Sequence, residues 1–533
     1  MVRSSLFAGL ALGLAAVLPT GVPATAAAPA APAAATPAPV APFATEDADF
    51  GQTATLLRRG FQAIHDRAIE PRSIPELAVA GLDGLSTIDP AVSVAVKDGA
   101  ALLSVDGLEV LGAPLPEDEI ARTWAGMVAV VAREMRHHST ALAAADLEAI
   151  HEAIMDAALE GMDAHSRYDS PGDAEKQRSR RNGFSGIGVR YVRDGGPIRI
   201  KEVMAEGPSD GLLRPGDLIT HADGAALADL ELAEMSRRLR GPRHTEVALT
   251  VVRADGPARN VTIVRDKVVP PSVEAEVRDG VAVVRVRRFN IATTASVRDA
   301  VADALAADPR LAGAVLDLRG NPGGLLDQAY GVADLFLEGG PIVSTRGRHP
   351  GSLQAYTAGP GDLLKGRPLV VLVDGRSASS SEILAAALKD SGRAMLVGTN
   401  SYGKGTVQTI VRLPNQGELK LTWSRFHSPA GYAIQGLGVM PSLCLSGVAE
   451  PLEDADAGGF IPATAMTASI GTPVAEAVEA RWETVPLDAE AERETLREAC
   501  ARENRTGMDT DIDVALGLIR DASVQTQHAT LEP

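Results

Sequence analysis

The chain predicts a multidomain α/β protein, and three observations carry that expectation. In the C-terminal half, short apolar β-rich runs such as residues 368–373 (PLVVLV) and 314–318 (AVLDL) alternate with helical-period segments, the pattern of a mainly parallel sheet with crossover helices. Residues 183–266 are instead strand-rich and glycine-punctuated, a module with its own logic. The first third repeats the helical period. With 533 residues, 45% of them hydrophobic, the chain can build several cores. Aromatic residues are only 3%, so those cores are made of Ala, Val and Leu.

In chain order, residues 1–27 carry Arg3, an apolar run over 6–18 and then small residues suited to cleavage near Ala26. This predicts a secretory signal, with an uncleaved anchor as the alternative. The run is short for a membrane span, and no later stretch reaches the required length. Residues 28–50 are Ala/Pro-rich and read as a linker. Residues 51–182 form a mainly helical region, with helical spacing over 52–70, 120–138 and 145–162 and a small hairpin around the Asp-Gly turns of 92–110. A net charge of −18 speaks against nucleic acid or an anionic membrane as partner, since both favour basic surfaces.

Residues 183–266 begin with a glycine loop, Phe184-Ser-Gly186-Ile187-Gly188-Val189, that runs into a strand. Strands over 198–203, 245–252 and 260–264 and a helix over 231–239 follow. The arrangement resembles a PDZ domain, which implies that a peptide pairs with a sheet edge while loop N–H groups hold its terminal carboxylate. Gly186, Ile187, Gly188 and Val189 are the expected peptide-binding residues. The α/β core spans 267–447, and 448–533 is a C-terminal extension with helical patterns at 474–481 and 511–519. Cys444 and Cys500, the only cysteines, permit one disulfide in an exported protein or two buried thiols.

The chemistry is expected between Ser377 and Gln408 (SASSSEILAAALKDSGRAMLVGTNSYGKGTVQ). Ser379 stands at a strand-to-helix turn, where a nucleophile is held exposed and the next N–H can meet an oxyanion. It also opens a capping box with Glu382, which is the purely structural reading. A serine hydroxyl needs a base, and no histidine lies in this segment. Lys404, among small residues in Ser-Tyr-Gly-Lys-Gly, can serve if burial keeps it neutral; otherwise it is a solvated loop lysine. The run from Gly398 to Lys404 nearly spells a phosphate-binding loop, but Gly405 follows the lysine where Ser or Thr is needed, and a strand follows instead of a helix.

Ser377-Ala-Ser379-Ser-Ser-Glu382-Ile with Gly403-Lys404-Gly405-Thr-Val-Gln408 resembles the carboxyl-terminal processing (tail-specific) proteases, serine peptidases with a Ser/Lys pair. The likeness extends over about 162–441, including Ile434-Gln-Gly-Leu-Gly-Val-Met-Pro. It departs at Ser380, where the family usually has alanine, and at Ser442, where an acidic residue is usual. The resemblance implies a crotonase/Clp-protease-like α/β core with an inserted PDZ domain. Ser379 is then the nucleophile, Lys404 the general base and Gln408 the residue orienting the lysine. It places an oxyanion donor in Arg319-Gly-Asn-Pro-Gly-Gly324, so Gly324 and the Ser380 N–H are the expected pair; a tight turn needing positive φ is the alternative. His165, in Met162-Asp-Ala-His-Ser, is expected to be structural or interfacial.

The implied protein is an exported, periplasmic serine endopeptidase that needs no metal or organic cofactor. Its partners are protein or peptide substrates with a free C-terminus, with an adaptor as a further partner class. Two other readings stand beside it: a catalytically silent C-terminus-binding scaffold, and a small-molecule acyl hydrolase.

Overall fold

The computed structural model describes residues 48–193, 195–253, 256–448 and 472–521. The expected signal (1–27) and nearly all of the linker (28–50) lie outside the described residues.

The N-terminal region packs helices α1 (Ala48–Arg67), α2 (Ile74–Asp83), α3 (Ala121–Met135), α4 (Thr140–Ala144) and α5 (Leu147–Leu159) around one apolar core. Helix α2 was not expected, although Ser73 and Glu76 form a reciprocal capping box at its start. The predicted hairpin is instead a three-stranded meander, β1 (Val92–Lys97), β2 (Ala100–Val105) and β3 (Leu108–Pro114). The reason is two Asp-Gly turns, Asp98-Gly99 and Asp106-Gly107, both with positive φ throughout. Each such turn joins one more antiparallel strand.

Strand β4 (Arg167–Asp169) and helix α6 (Pro171–Asn182) lead to the module. Strand β5 (Phe184–Gly186) enters it. Strands β6 (Val189–Arg193), β7 (Ile198–Val203), β8 (Leu218–Ala222) and β9 (Ala225–Ala226) follow, then helix α7 (Leu232–Leu239), β10 (Glu246–Val252) and β11 (Arg259–Val264). The main sheet runs β11-β10-β8-β7-β6 around its own apolar core. The exit strand β12 (Asp266–Val268) pairs antiparallel with the entry strand β5. Entry and exit are thus clasped together, as an inserted module requires.

The α/β core contains β13 (Val273–Arg278), β14 (Val281–Val286), α8 (Thr293–Ala307), β15 (Gly313–Asp317), α9 (Leu326–Asp334), β16 (Gly340–Arg346), β17 (Gln354–Ala358) and β18 (Leu369–Val373). It continues with α10 (Ser380–Asp390), β19 (Met395–Gly398), β20 (Thr406–Arg412), β21 (Glu418–His427) and β22 (Leu443–Cys444). Strands β14, β15, β18, β19 and β22 are parallel neighbours, with β13 antiparallel at one edge. Successive strand residues face opposite sides of this sheet. Leu369, Val371 and Val373 therefore enter one core with α10, while Val370 and Leu372 enter another.

That second core is closed by the C-terminal segment. Beyond helices α11 (Thr472–Thr484) and α12 (Glu490–Glu498), helix α13 (Asp509–Arg520) lays Ile512, Ala515, Leu516 and Ile519 on the sheet. Sequence composition suggested an extension; the fold makes its last helix a layer of the core. Cys444 and Cys500 form a disulfide, so of the two thiol states left open the bonded one is present.

A second sheet runs β17-β16-β21-β20, and β4 pairs with β21. Val411, Leu413, Leu419 and Leu421 of β20 and β21 belong to the N-terminal apolar core. The helical region is thereby welded to the strand pair that carries Gln408.

Candidate active site

The turn between β18 and α10 holds Ser379 at φ 57° and ψ −112°. A non-glycine residue rarely adopts positive φ, and it persists only where neighbours over-determine it. Here they do: the Asn321 carbonyl accepts from the Ala378 N–H at 3.0 Å and the Ser381 hydroxyl at 2.9 Å. Asp374 accepts from the Ser377 N–H at 3.0 Å. The Ser379 N–H donates to Glu382 Oε2 at 2.6 Å, the expected capping contact. The Glu382 N–H goes to the Ser379 carbonyl at 2.9 Å.

The loop after β15 lies against this turn. A Cβ on Gly323 would stand 2.9 Å from both the Ser379 Cβ and the Ser380 nitrogen, and Gly323 has φ +93°. Only glycine fits so close an approach. Phe289 and Gly324 form a parallel bridge, in which the Gly323 carbonyl accepts from the Phe289 N–H and the Leu325 N–H donates to Phe289. The Gly324 N–H takes no part in that bridge. Its carbonyl accepts from the Ser380 hydroxyl at 3.1 Å, which fixes Gly324 relative to the first turn of α10.

Lys404 sits between β19 and β20 in a loop whose main chain is held on three sides. Its own N–H donates to Glu382 Oε2 at 2.9 Å. The Gly403 carbonyl accepts from the Gly436 N–H at 2.8 Å, and the Gly405 N–H donates to Gln435 Oε1 at 2.9 Å. Arg493, Arg497 and Arg502 of the C-terminal segment in turn grip the carbonyls of Ala433, Gln435 and Gly436. The Lys404 amine has no ion-pair partner among the described residues. Burial, and next the Arg167 cation, hold its pKa below the usual lysine range; Glu382 and Asp163 oppose this, and Lys420 adds to it. A partly buried, unpaired amine with a lowered pKa is the form in which lysine accepts a proton.

Gln408 on β20 donates through Nε2 to the hydroxyls of Thr406 (2.9 Å) and Thr422 (3.2 Å). Thr422 donates its own proton to Asp163 at 2.7 Å, so its oxygen can only accept from the glutamine. This fixes the amide orientation and leaves Oε1 of Gln408 without a hydrogen-bond partner among the described residues. Asp163 also takes the Ser166 hydroxyl at 2.6 Å and the His165 N–H at 2.9 Å. Burial works against the Asp163 charge, but these hydrogen bonds outweigh it and keep its pKa below the usual aspartate range. The His165 imidazole is held below the histidine range first by burial and second by the Lys404 charge, which places it within electrostatic reach of that amine.

Sequence reasoning missed Asp163, Thr422 and Gln435 as parts of the site. Their separations along the chain hide them; Asp163 and Gln435 lie inside quoted motifs, but neither motif gives them a role. In the inserted module, Gly188 has φ +73° and its carbonyl accepts from the Met204 N–H at 3.0 Å, while the Ile187 carbonyl accepts from the Ser209 hydroxyl at 2.5 Å. Gly186 pairs with Asp266 in the β5–β12 clasp. Val189 starts β6, which among the described residues has a partner strand on one side only and so presents a sheet edge.

Residues 280–444 match the peptidase family S41 and residues 199–253 match a PDZ domain family. A carboxy-terminal-processing protease of Bartonella bacilliformis is 38% identical over 319 residues, covering 58% of this chain and 72% of the relative. A probable CtpA-like serine protease of Staphylococcus saprophyticus is 31% identical over 299 residues, 54% of this chain and 60% of its own length. Among solved structures, a photosystem II D1 C-terminal processing protease covers 77% of this chain and 96% of its own, at 24% identity and a TM-score of 0.38. With that degree of identity and coverage to the Bartonella relative, the chain belongs to the carboxy-terminal-processing proteases of peptidase family S41.

Proposed function

We propose that this chain is an exported serine endopeptidase that binds protein C-termini through its PDZ domain (183–266) and cleaves in the core (267–447) by a Ser379/Lys404 mechanism. The observation that carries the catalytic assignment is the Lys404 amine, unpaired and pushed toward neutrality, on a loop whose main chain shares the Glu382 carboxylate with the Ser379 turn. The Ser379 oxygen bonds to the scissile carbonyl carbon as its proton passes to Lys404. The oxyanion takes hydrogen bonds from the Gly324 and Ser380 N–H groups. The C–N bond then breaks, with the lysine proton leaving on the new amine. Water, deprotonated by Lys404, hydrolyses the ester and returns the serine.

Gln408 serves this cycle through Oε1, which accepts from the lysine and holds it toward the serine. The C-terminal residue of the substrate would be received at Gly186–Gly188, with its strand added beside Val189 on the free edge of β6. Export, in a periplasmic setting, rests on residues 1–27, and an adaptor that delivers substrates is a further partner to seek. The test is digestion of an unstructured protein, with and without its free C-terminus, by wild type, Ser379→Ala and Lys404→Ala. Both variants should fold and lose cleavage entirely, and blocking the C-terminus should slow wild type. Wild-type cleavage by either variant would sink the assignment.

A further inference from the structure

Glu382 has no exposed surface at all, yet it receives four hydrogen bonds: from the Ser401 hydroxyl (2.6 Å) and Gly403 N–H (2.5 Å) on Oε1, and from the Ser379 N–H (2.6 Å) and Lys404 N–H (2.9 Å) on Oε2. An ordinary capping glutamate reaches back to one amide, that of the N-cap. This one also reaches the lysine loop, so the main chains of Ser379 and Lys404 lie within two hydrogen-bond lengths of each other through a single oxygen. Ser401 is itself committed, since its oxygen accepts from the Val439 N–H at 2.8 Å while its proton goes to Glu382.

We propose that Glu382 is a positioning residue of the peptidase site: its buried carboxylate clamps the nucleophile turn to the general-base loop and sets their separation. The inference rests on the Ser379/Lys404 reading above. Three of the four partners are main-chain N–H groups, which can donate but never accept. The clamp therefore requires acceptor oxygens on both sides. Glutamine, which substitutes freely in a capping box, cannot supply them: whichever way its amide turns, at least one N–H meets another donor.

The carboxylate also acts on the lysine through space. The charged groups facing the Lys404 amine are Glu382 and Asp163, which favour its protonation, and Arg167 and Lys420, which oppose it, with His165 alongside. Glu382 is faced by Lys404, by Arg502 of the C-terminal segment and by the buried Tyr432 phenol. Burial pushes the Glu382 pKa up, and its four donors work against that.

The experiment measures kcat, KM and the pH profile of kcat/KM for Glu382→Gln and Glu382→Asp in the full chain, with folding followed by circular dichroism. Glu382→Gln should lower kcat about 10- to 100-fold with KM little changed. Its acid limb should move to lower pH by roughly half to one unit, because losing the negative charge lowers the lysine pKa. Glu382→Asp keeps the charge but is too short to reach both amides, so kcat should fall about tenfold while the limb stays in place. If Glu382→Gln does not fold, Ser401→Ala carries the test, with a severalfold loss in kcat expected. A Glu382→Gln enzyme with wild-type kcat and an unmoved limb, or a Ser401→Ala enzyme with wild-type kcat, would reduce Glu382 to a helix cap. Cleavage surviving in Ser379→Ala and Lys404→Ala would instead remove the underlying mechanism, which distinguishes the two failures.

Discussion

The two halves of the proposed site are anchored by different means. The nucleophile turn is held by its own α/β layer: Asn321 from the loop after β15, Asp374 from the end of β18 and Glu382 one turn into α10. The base half leans on a distant part of the chain, since Gln408 is oriented by Thr422, which is itself fixed by Asp163 259 residues away. The contrast teaches that the serine is preorganised once the core folds. In the proposed mechanism Gln408 orients the lysine, so the base half is complete only when the N-terminal helical region has docked on β20 and β21.

The C-terminal segment serves both halves and so gives the baseline for the comparison. Its arginines hold the 433–436 loop beside Lys404, and the Arg505 N–H and Thr506 hydroxyl donate to Asp374 at 3.1 and 3.0 Å. The Cys444–Cys500 disulfide, spanning 56 residues, tethers this segment to β22. Converting both cysteines to serine should destabilise the protein by about 2–4 kcal/mol in denaturant unfolding, through the freed loop of the unfolded chain. An unchanged midpoint would mean that the buried Arg319–Asp511–Arg505 cluster alone pins the segment.

The asymmetry itself is put at risk by Asp163→Asn. The variant replaces a carboxylate that takes the Thr422 and Ser166 hydroxyls, so Thr422 can turn and the Gln408 amide loses its fixed orientation. The expected result is a kcat lower by about 10- to 100-fold, with KM nearly unchanged. The acid limb should also shift downward, because Asp163 favours the protonated lysine. A lower melting temperature with wild-type kcat would show that this contact merely holds domains together.

What could be read in advance follows the same division. The nucleophile half was legible because its signals are local: an apolar run, a turn, S-x-x-E and a helical period occupy fewer than about 25 residues, and the strand and helix fall where those signals put them. The base half was legible only as Gly-Lys-Gly-Thr-Val-Gln. Asp163 was quoted in a motif without a role, and Thr422 lay in an unremarked strand, because a hydrogen bond across 259 residues leaves no trace in periodicity. The N-terminal meander was misread as one hairpin although both Asp-Gly turns were in view; the second turn fixes the count of strands. In the sequence the last helix reads as an extension, because a helical pattern says which face is apolar and not what it covers. Glu382 was visible as a cap, but its second reach, to the lysine loop, depends on the return of the chain after β19.

The smallest effect is the sharpest on sign. Arg167 stands on β4, contributed by the N-terminal side, and is the first charge after burial in depressing the Lys404 pKa. Its guanidinium is about half exposed and paired with Asp169 at 2.9 Å, so water and the partner weaken its reach. Arg167→Gln removes a cation facing the amine and should raise the lysine pKa. In the proposed mechanism the neutral amine is the active form, so the acid limb of kcat/KM should then move to higher pH, by less than about one unit. Asp163→Asn, four residues earlier, should move it the other way. Opposite shifts from two neighbours, with kcat at the alkaline plateau retained in Arg167→Gln, would mean that the N-terminal segment tunes the base as well as orienting it. Shifts of the same sign would mean that the segment acts only by holding β21 in place, since the loss of packing does not distinguish a cation from an anion.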